Sequence, residues 1–240
     1  RALRDSEFRW KFAIEGSGDG LWDWDAQTNT TYYSLAWKSM LGLEATEVGH
    51  DPQEWSDRLH PDDRAAATAA VEEHLQGRSE IYAHEHRMRC RDGSYKWILS
   101  RGVVVARGVK GEPLRMLGTH TDITTRRAAA DSLQQSHELL MHVINSVPAR
   151  VFWKDKELRY LGCNQAFAQD AGFADVANVI GKRDQELGWA AQAELYGEDD
   201  RAVMRTGQAK PHYLEPQTTP DGRTIWLRTT KVPLRNLDGE

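Results

Sequence analysis

The chain has 240 residues, of which 40% are hydrophobic and 28% charged, a balance that fits a soluble globular protein able to build cores. Its formal net charge of -5 excludes the basic footprint that neutralising nucleic-acid phosphates requires. No apolar run approaches the roughly 20 residues of a bilayer span, the start lacks a signal peptide's apolar stretch, and Cys90 and Cys163 stand far apart, which points to a reducing cytoplasm rather than a disulfide framework.

Residues 1–15, with Leu3, Trp10 and Ile14, read as a helix leading into a first domain. Gly20 to Asp25 alternates like a strand, and Thr28-Asn29-Thr30 supplies a turn before Tyr32-Tyr33. Ala36 to Leu41 reads as a short helix closed by Gly42 in the left-handed conformation. His60-Pro61-Asp62-Asp63 opens a longer helix, because Pro suits a first turn and acidic residues favour the positive end of the helix dipole. It runs to Leu75 and stops near Gly77. Strands follow over Ile81–Cys90, Tyr95–Ala106 and Leu114–Thr121, the first two joined by an Asp92-Gly93 hairpin turn. Two strands, several helices and three strands predict an antiparallel α+β domain with helices on one face. Residues 126–146 contain no Gly or Pro, and Leu133, Leu140 and Val147 recur every seventh position with Ile144 on the same stripe. This predicts an amphipathic linker helix, either self-associating as a short coiled coil or packed on its own domain.

The pattern then repeats. Asp92-Gly93-Ser94-Tyr95-Lys96-Trp97 returns as Asp221-Gly222-Arg223-Thr224-Ile225-Trp226, and Ala36-Trp37 with Leu41-Gly42 returns as Ala166-Phe167 with Ala171-Gly172. A unit of about 130 residues therefore occurs twice, too long for a solenoid repeat and right for a duplicated domain. The expected layout is a first domain over 16–125, the linker helix over 126–146 and a second domain over 147–240. The second lacks a counterpart to Leu114–Thr124, its last strand.

The run Arg91 to Trp97 followed by Gly118-Thr119-His120-Thr121-Asp122-Ile123-Thr124 resembles the C-terminal motif of PAS domains, and Gly20 to Asp25 and His60 to Asp63 match the same family. The second unit resembles a related PAS subtype through Val151 to Asp155, Tyr160 to Asn164, Ile180-Gly181-Lys182 and Trp226-Leu227-Arg228. The resemblance implies two PAS domains in tandem, each a five-stranded antiparallel sheet with helices forming a cup over one face. Such a cup holds a flavin, a haem, a small metabolite or only side chains.

The resemblance to flavin-binding redox sensors makes FAD in the first domain the favoured cofactor. Trp24, Trp37 and Trp55 are candidates to stack on it. His60 falls in Arg58-Leu59-His60-Pro61-Asp62, similar to a stretch near the cavity of those proteins. Strand alternation puts His86 on the face of Met88, and His120 takes the place of a flavin-facing Gln. The cysteine motif of the light-sensing LOV branch is absent, which argues against adduct photochemistry. His74 lies where a haem ligand would, but among Glu72, Glu73 and Gln76 it reads as solvated. A zinc site from His84, His86 and His120 lacks further ligands, since Glu85 points the other way. In the second domain Tyr213, Glu215 and Gln217 take the corresponding positions, and no cofactor is expected there.

The function implied is a cytoplasmic sensory input module that detects redox state or a small ligand. It would relay that event from His120 through Asp122-Ile123-Thr124 and the helices to an output domain outside the chain, a histidine kinase, diguanylate cyclase or phosphodiesterase. No nucleophile–base pair or metal constellation indicates an enzyme, and neither nucleic acid nor membrane contact is expected. The expected partner is a second copy, through the N-terminal and linker helices. The alternative is a cofactor-free PAS scaffold that dimerises and transmits strain.

Overall fold

The computed structural model describes residues 18–219, 221–235 and 239, and the chain divides into two compact units, Arg1–Leu133 and Gln134–Glu240. The helix expected over residues 1–15 lies outside the described residues.

In the first unit, strands β1 (Gly20–Asp25) and β2 (Thr30–Tyr33) precede three helices, α1 (Leu35–Met40), α2 (Gln53–Ser56) and α3 (Pro61–Leu75). Strands β3 (Tyr82–Arg89), β4 (Tyr95–Arg107) and β5 (Pro113–Asp122) complete a five-stranded antiparallel sheet of order β2-β1-β5-β4-β3. The α+β reading therefore holds, with the short helix α2 an element that the sequence did not announce. Ser34 caps α1 by accepting from the Trp37 N–H, and Gly42 turns the chain away at φ 72°. His60 caps α3, its Nδ1 accepting from the Asp62 N–H at 3.3 Å. Asp63 ties that first turn to β3, accepting from the Arg87 N–H and Nε at 2.8 Å each. The Arg87 hydrogen bonds hold the Asp63 carboxyl down at about 2.

Helix α3 corrects one reading. His74 is buried, not solvated. Its Nε2 accepts from the Val104 N–H at 3.2 Å, while Nδ1 sits 3.0 Å from the Ser79 carbonyl, so the ring ties the end of α3 to β4. Ala67, Ala70, Val71 and His74 fall on one helical stripe, and that spacing outweighs the charged neighbours in sequence.

Helix α4 (Thr124–Ser146) follows β5 after one residue. Its start is held on the outer face of the sheet. Thr124 Oγ1 accepts from the Trp97 N–H, and the Ile123 N–H donates to the Trp97 carbonyl. Arg127 donates to Glu85 at 2.9 and 2.6 Å and lies 3.8 Å over the Trp97 ring, and Arg126 reaches the same carboxylate at 3.0 Å.

The second unit repeats the plan with β6 (Phe152–Lys154), β7 (Tyr160–Cys163), α5 (Gln165–Asp170), α6 (Ala193–Thr206), β8 (Lys210–Thr218) and β9 (Thr224–Lys231). Among the described residues these strands form two antiparallel pairs, β6–β7 and β8–β9, with no counterpart of β5. Asn164 caps α5 as Ser34 caps α1, accepting from the Phe167 N–H at 3.0 Å, and Gly172 repeats Gly42 at φ 84°.

Buried charge organises this second interior. Asp184 accepts from Lys154 at 2.5 Å, the Tyr160 hydroxyl at 2.5 Å and Trp189 Nε1 at 3.1 Å. Lys154 also meets Asp200 at 2.8 Å, and Lys231 meets Asp200 at 2.6 Å. Two ammonium groups and two carboxylates balance, so removing one strands the others in a poor solvent for charge. Asp184→Ala should lower the unfolding free energy by about 3 kcal/mol in a urea titration followed by tryptophan emission; a loss below about 1 kcal/mol would mean the network contributes little.

Candidate functional site

The inward face of the first sheet is best read as rows across the strands. One row runs Tyr33, Trp22, Gly118, Gly102, Tyr82 over β2, β1, β5, β4 and β3. The next runs Gly20, His120, Ser100, His84 over β1, β5, β4 and β3. The two glycines matter because the Trp22 indole lies across them. A Cβ on Gly118 would stand 2.1 Å from the Arg101 carbonyl oxygen and from the Trp22 ring, and one on Gly102 would stand 2.6 Å from that ring.

Above these rows is a cavity of about 160 Å³. Trp22, Tyr82, Ser100 and His120 face it from the sheet, Trp55 from α2, and Val71 and Leu75 from α3. Trp22 Nε1 and the Tyr82 hydroxyl are buried without a hydrogen-bond partner. Burial pushes the Tyr82 phenol up to about 12, with the adjacent Ser100 hydroxyl acting the other way without completing a hydrogen bond.

Two histidines are locked as neutral rings beside this space. His120 Nδ1 accepts from Trp37 Nε1 at 2.8 Å, which leaves its proton on Nε2. His86 Nε2 accepts from Trp55 Nε1 at 3.2 Å, so its proton sits on Nδ1, 3.5 Å from His84 Nδ1. The His86 and His120 rings lie 5.8 Å apart. Burial, then the charge of His84, pushes His86 down to about 4 against the pull of Asp63. Burial, then His86, holds His120 well below its ordinary value. Among the described residues no group of three or more His, Cys, Asp or Glu is arranged to hold a metal ion.

Family profiles described as the PAS fold match residues 30–120 and residues 144–240. The chain is a tandem of two PAS domains. A non-motile and phage-resistance protein of Caulobacter vibrioides is 29% identical over 173 residues, 70% of this chain and 20% of the relative. A probable diguanylate cyclase, DgcE, of Escherichia coli is 27% identical over 67% of this chain and 14% of its own length. The chain thus spans no more than a fifth of these curated relatives. Among solved structures, a sensory box histidine kinase/response regulator of Burkholderia thailandensis is 39% identical, covering 56% of this chain and 98% of that one at a TM-score of 0.49. A diguanylate cyclase with a PAS/PAC sensor from Marinobacter aquaeolei is 24% identical, covering 45% and 98% at a TM-score of 0.40. This tandem is a PAS sensor module of signalling proteins.

Within the first PAS domain the seven expected site residues separate. Trp24, Trp55 and His120 line the cavity. His86 stands behind Trp55 as its acceptor. Trp37 and Met88 are fully buried among core side chains and do not line the cavity. His60 is spent on capping α3 and meets Tyr95 edge-to-face at 4.7 Å, outside the cavity lining. Trp22, Tyr82 and Ser100 went unrecognised, although Trp22 shares the parity of Trp24 on β1, and Tyr82 that of His84 and His86 on β3. FAD does not fit this cavity as built. An engineered cavity of about 150 Å³ holds a benzene, far short of a flavin tricycle with its dinucleotide tail. Among the described lining residues none is cationic to meet a pyrophosphate.

Two expectations follow. Gly118→Ala should displace Trp22 and cost roughly 3 kcal/mol of stability, read as a lowered urea midpoint; an unshifted midpoint would show that the sheet yields without cost. The histidines set a pH response. Between pH 6.5 and about 4 the unfolded chain binds protons that folded His86 refuses, so stability falls as pH drops through that window, and His120 adds to the fall. His86→Gln, which keeps an acceptor for Trp55, should flatten the slope of unfolding free energy against pH there, and an unaltered slope would assign the response elsewhere.

Proposed function

We propose that the first PAS domain is the sensory input of a larger signalling protein, in which a small ligand occupies the cavity and β5 carries the consequence into α4. The observation that supports this is continuity. His120 faces the cavity, Asp122 ends the same strand, and Thr124 begins the helix while accepting a hydrogen bond from β4. A shift of one pleat at His120 therefore reaches the Glu85–Arg127 clip within seven residues of chain.

The second PAS domain acts in this reading as a relay. Its interior is occupied by packed aromatic rings, with Phe152 and Phe167 tilted at 4.6 Å and Phe167 and Trp189 edge-to-face at 5.4 Å. That packing favours the scaffold role for this half. Leu133, Leu140 and Val143 on α4 are exposed, a stripe suited to pairing with a second copy of the helix. The kinase and cyclase names of the relatives suggest the kind of output domain that follows. Free Cys90 and Cys163 suit a reducing cytoplasm.

The test uses a signalling protein in which this chain precedes its catalytic domain. Leu75→Trp fills the cavity, and Glu85→Gln releases both arginines at the start of α4. Each should change basal output about threefold or more, read as autophosphorylation or cyclic-dinucleotide synthesis. Output unmoved by both would leave the chain without an input role.

A further inference from the structure

We infer that the first-domain cavity takes an uncharged, single-ring molecule bearing a hydrogen-bond acceptor. This rests on the sensory reading above and names the class of ligand for the same site. Four observations converge on it. The volume of about 160 Å³ matches one small ring with a short substituent, close to the ~150 Å³ that accommodates benzene. The walls suit a flat molecule, since the aromatic side chains of Trp22, Trp24 and Trp55 line them.

Charge is excluded by the lining. Among the described residues no Asp, Glu, Lys or Arg borders the cavity, and His120 is held neutral by its bond from Trp37. An ion placed there would give up its hydration and meet no counter-charge. The hydrogen-bonding character is as definite. Trp22 Nε1 can only donate, and it is buried with no acceptor. The Tyr82 hydroxyl is 2% exposed in residue terms and equally unpartnered, three strands away in the same row. His120 keeps its remaining proton on Nε2. A carbonyl or an unprotonated ring nitrogen answers these donors, whereas a plain hydrocarbon leaves them orphaned.

Acetophenone, benzoate and isopropylbenzene share one shape and differ in charge and acceptor, so calorimetric titration of the purified chain with each separates the terms. Acetophenone should bind tightest, isopropylbenzene about fivefold more weakly and benzoate at least roughly a hundredfold more weakly. Tyr82→Phe should bring acetophenone close to isopropylbenzene and leave isopropylbenzene unchanged, with circular dichroism melting confirming that the variant is folded. Trp22→Phe supplies an independent second donor deletion. Benzoate binding as well as acetophenone, or acetophenone and isopropylbenzene binding alike to the parent chain, would overturn the inference while leaving the cavity a ligand site. Failure of all three to bind also overturns it. The sensory reading falls with it only if the Leu75→Trp signalling protein keeps unaltered output.

Discussion

The first domain depends on an indole laid across two glycines. Trp22 on β1 reaches over Gly118 on β5 and Gly102 on β4, and neither position has room for a methyl group. Flattening Trp22 onto the sheet removes a ring from the volume the helices would otherwise fill. What is left above it is a cavity rather than a packed seam. The same placement buries Nε1 against no acceptor and sets the Tyr82 hydroxyl across the row from it. A core that leaves two donors unpaired gives up stability, and the proposed ligand is what would answer them.

The duplicated partner resolves the same geometry in the opposite way. Counted from the shared Asp-Gly turns, the position repeating Gly102 is Lys231, and that ammonium reaches inward to Asp200 at 2.6 Å. Phe152 stands near the place of Trp22 and packs at a tilt against Phe167. Where the first domain has a trough of bare backbone, the second has a long side chain anchored in a buried ion-pair network, in which Tyr160 and Trp189 donate to Asp184. One ancestral plan thus yields an accommodating interior and a filled one.

The sequence carried the architecture well because strand alternation, an Asp-Gly turn, helix caps and left-handed glycines are local signals. The span from Pro61 to Leu75 and the three strands after it were read to within a residue or two. The site was harder, since it depends on which of several aromatic and histidine side chains faces a gap. Trp22 and Trp24 share one strand face, so parity does not separate them, and nothing local marks Gly102 and Gly118 as the reason Trp22 lies flat. His60 carries a motif-like context, but its imidazole is already committed as a helix cap. Met88 obeys the inward parity of β3 and Trp37 lies on the inner side of helix α1, and both end in solid core. The charged neighbours of His74 in sequence mask its place on the buried helical stripe.

In the proposed function, recognition and relay rest on different forces. The cavity is lined by neutral groups, whereas the sheet-to-helix junction is an electrostatic clasp: Arg87 and Arg127 sit 5.4 and 3.8 Å over the Trp97 ring, and Glu85 gathers Arg126 and Arg127 on the outer surface. Dissolved salt screens exposed ions over a Debye length of about 8 Å at physiological ionic strength and barely touches a buried dipole. Raised ionic strength would therefore loosen the Glu85 clasp while leaving the neutral cavity lining almost unaffected.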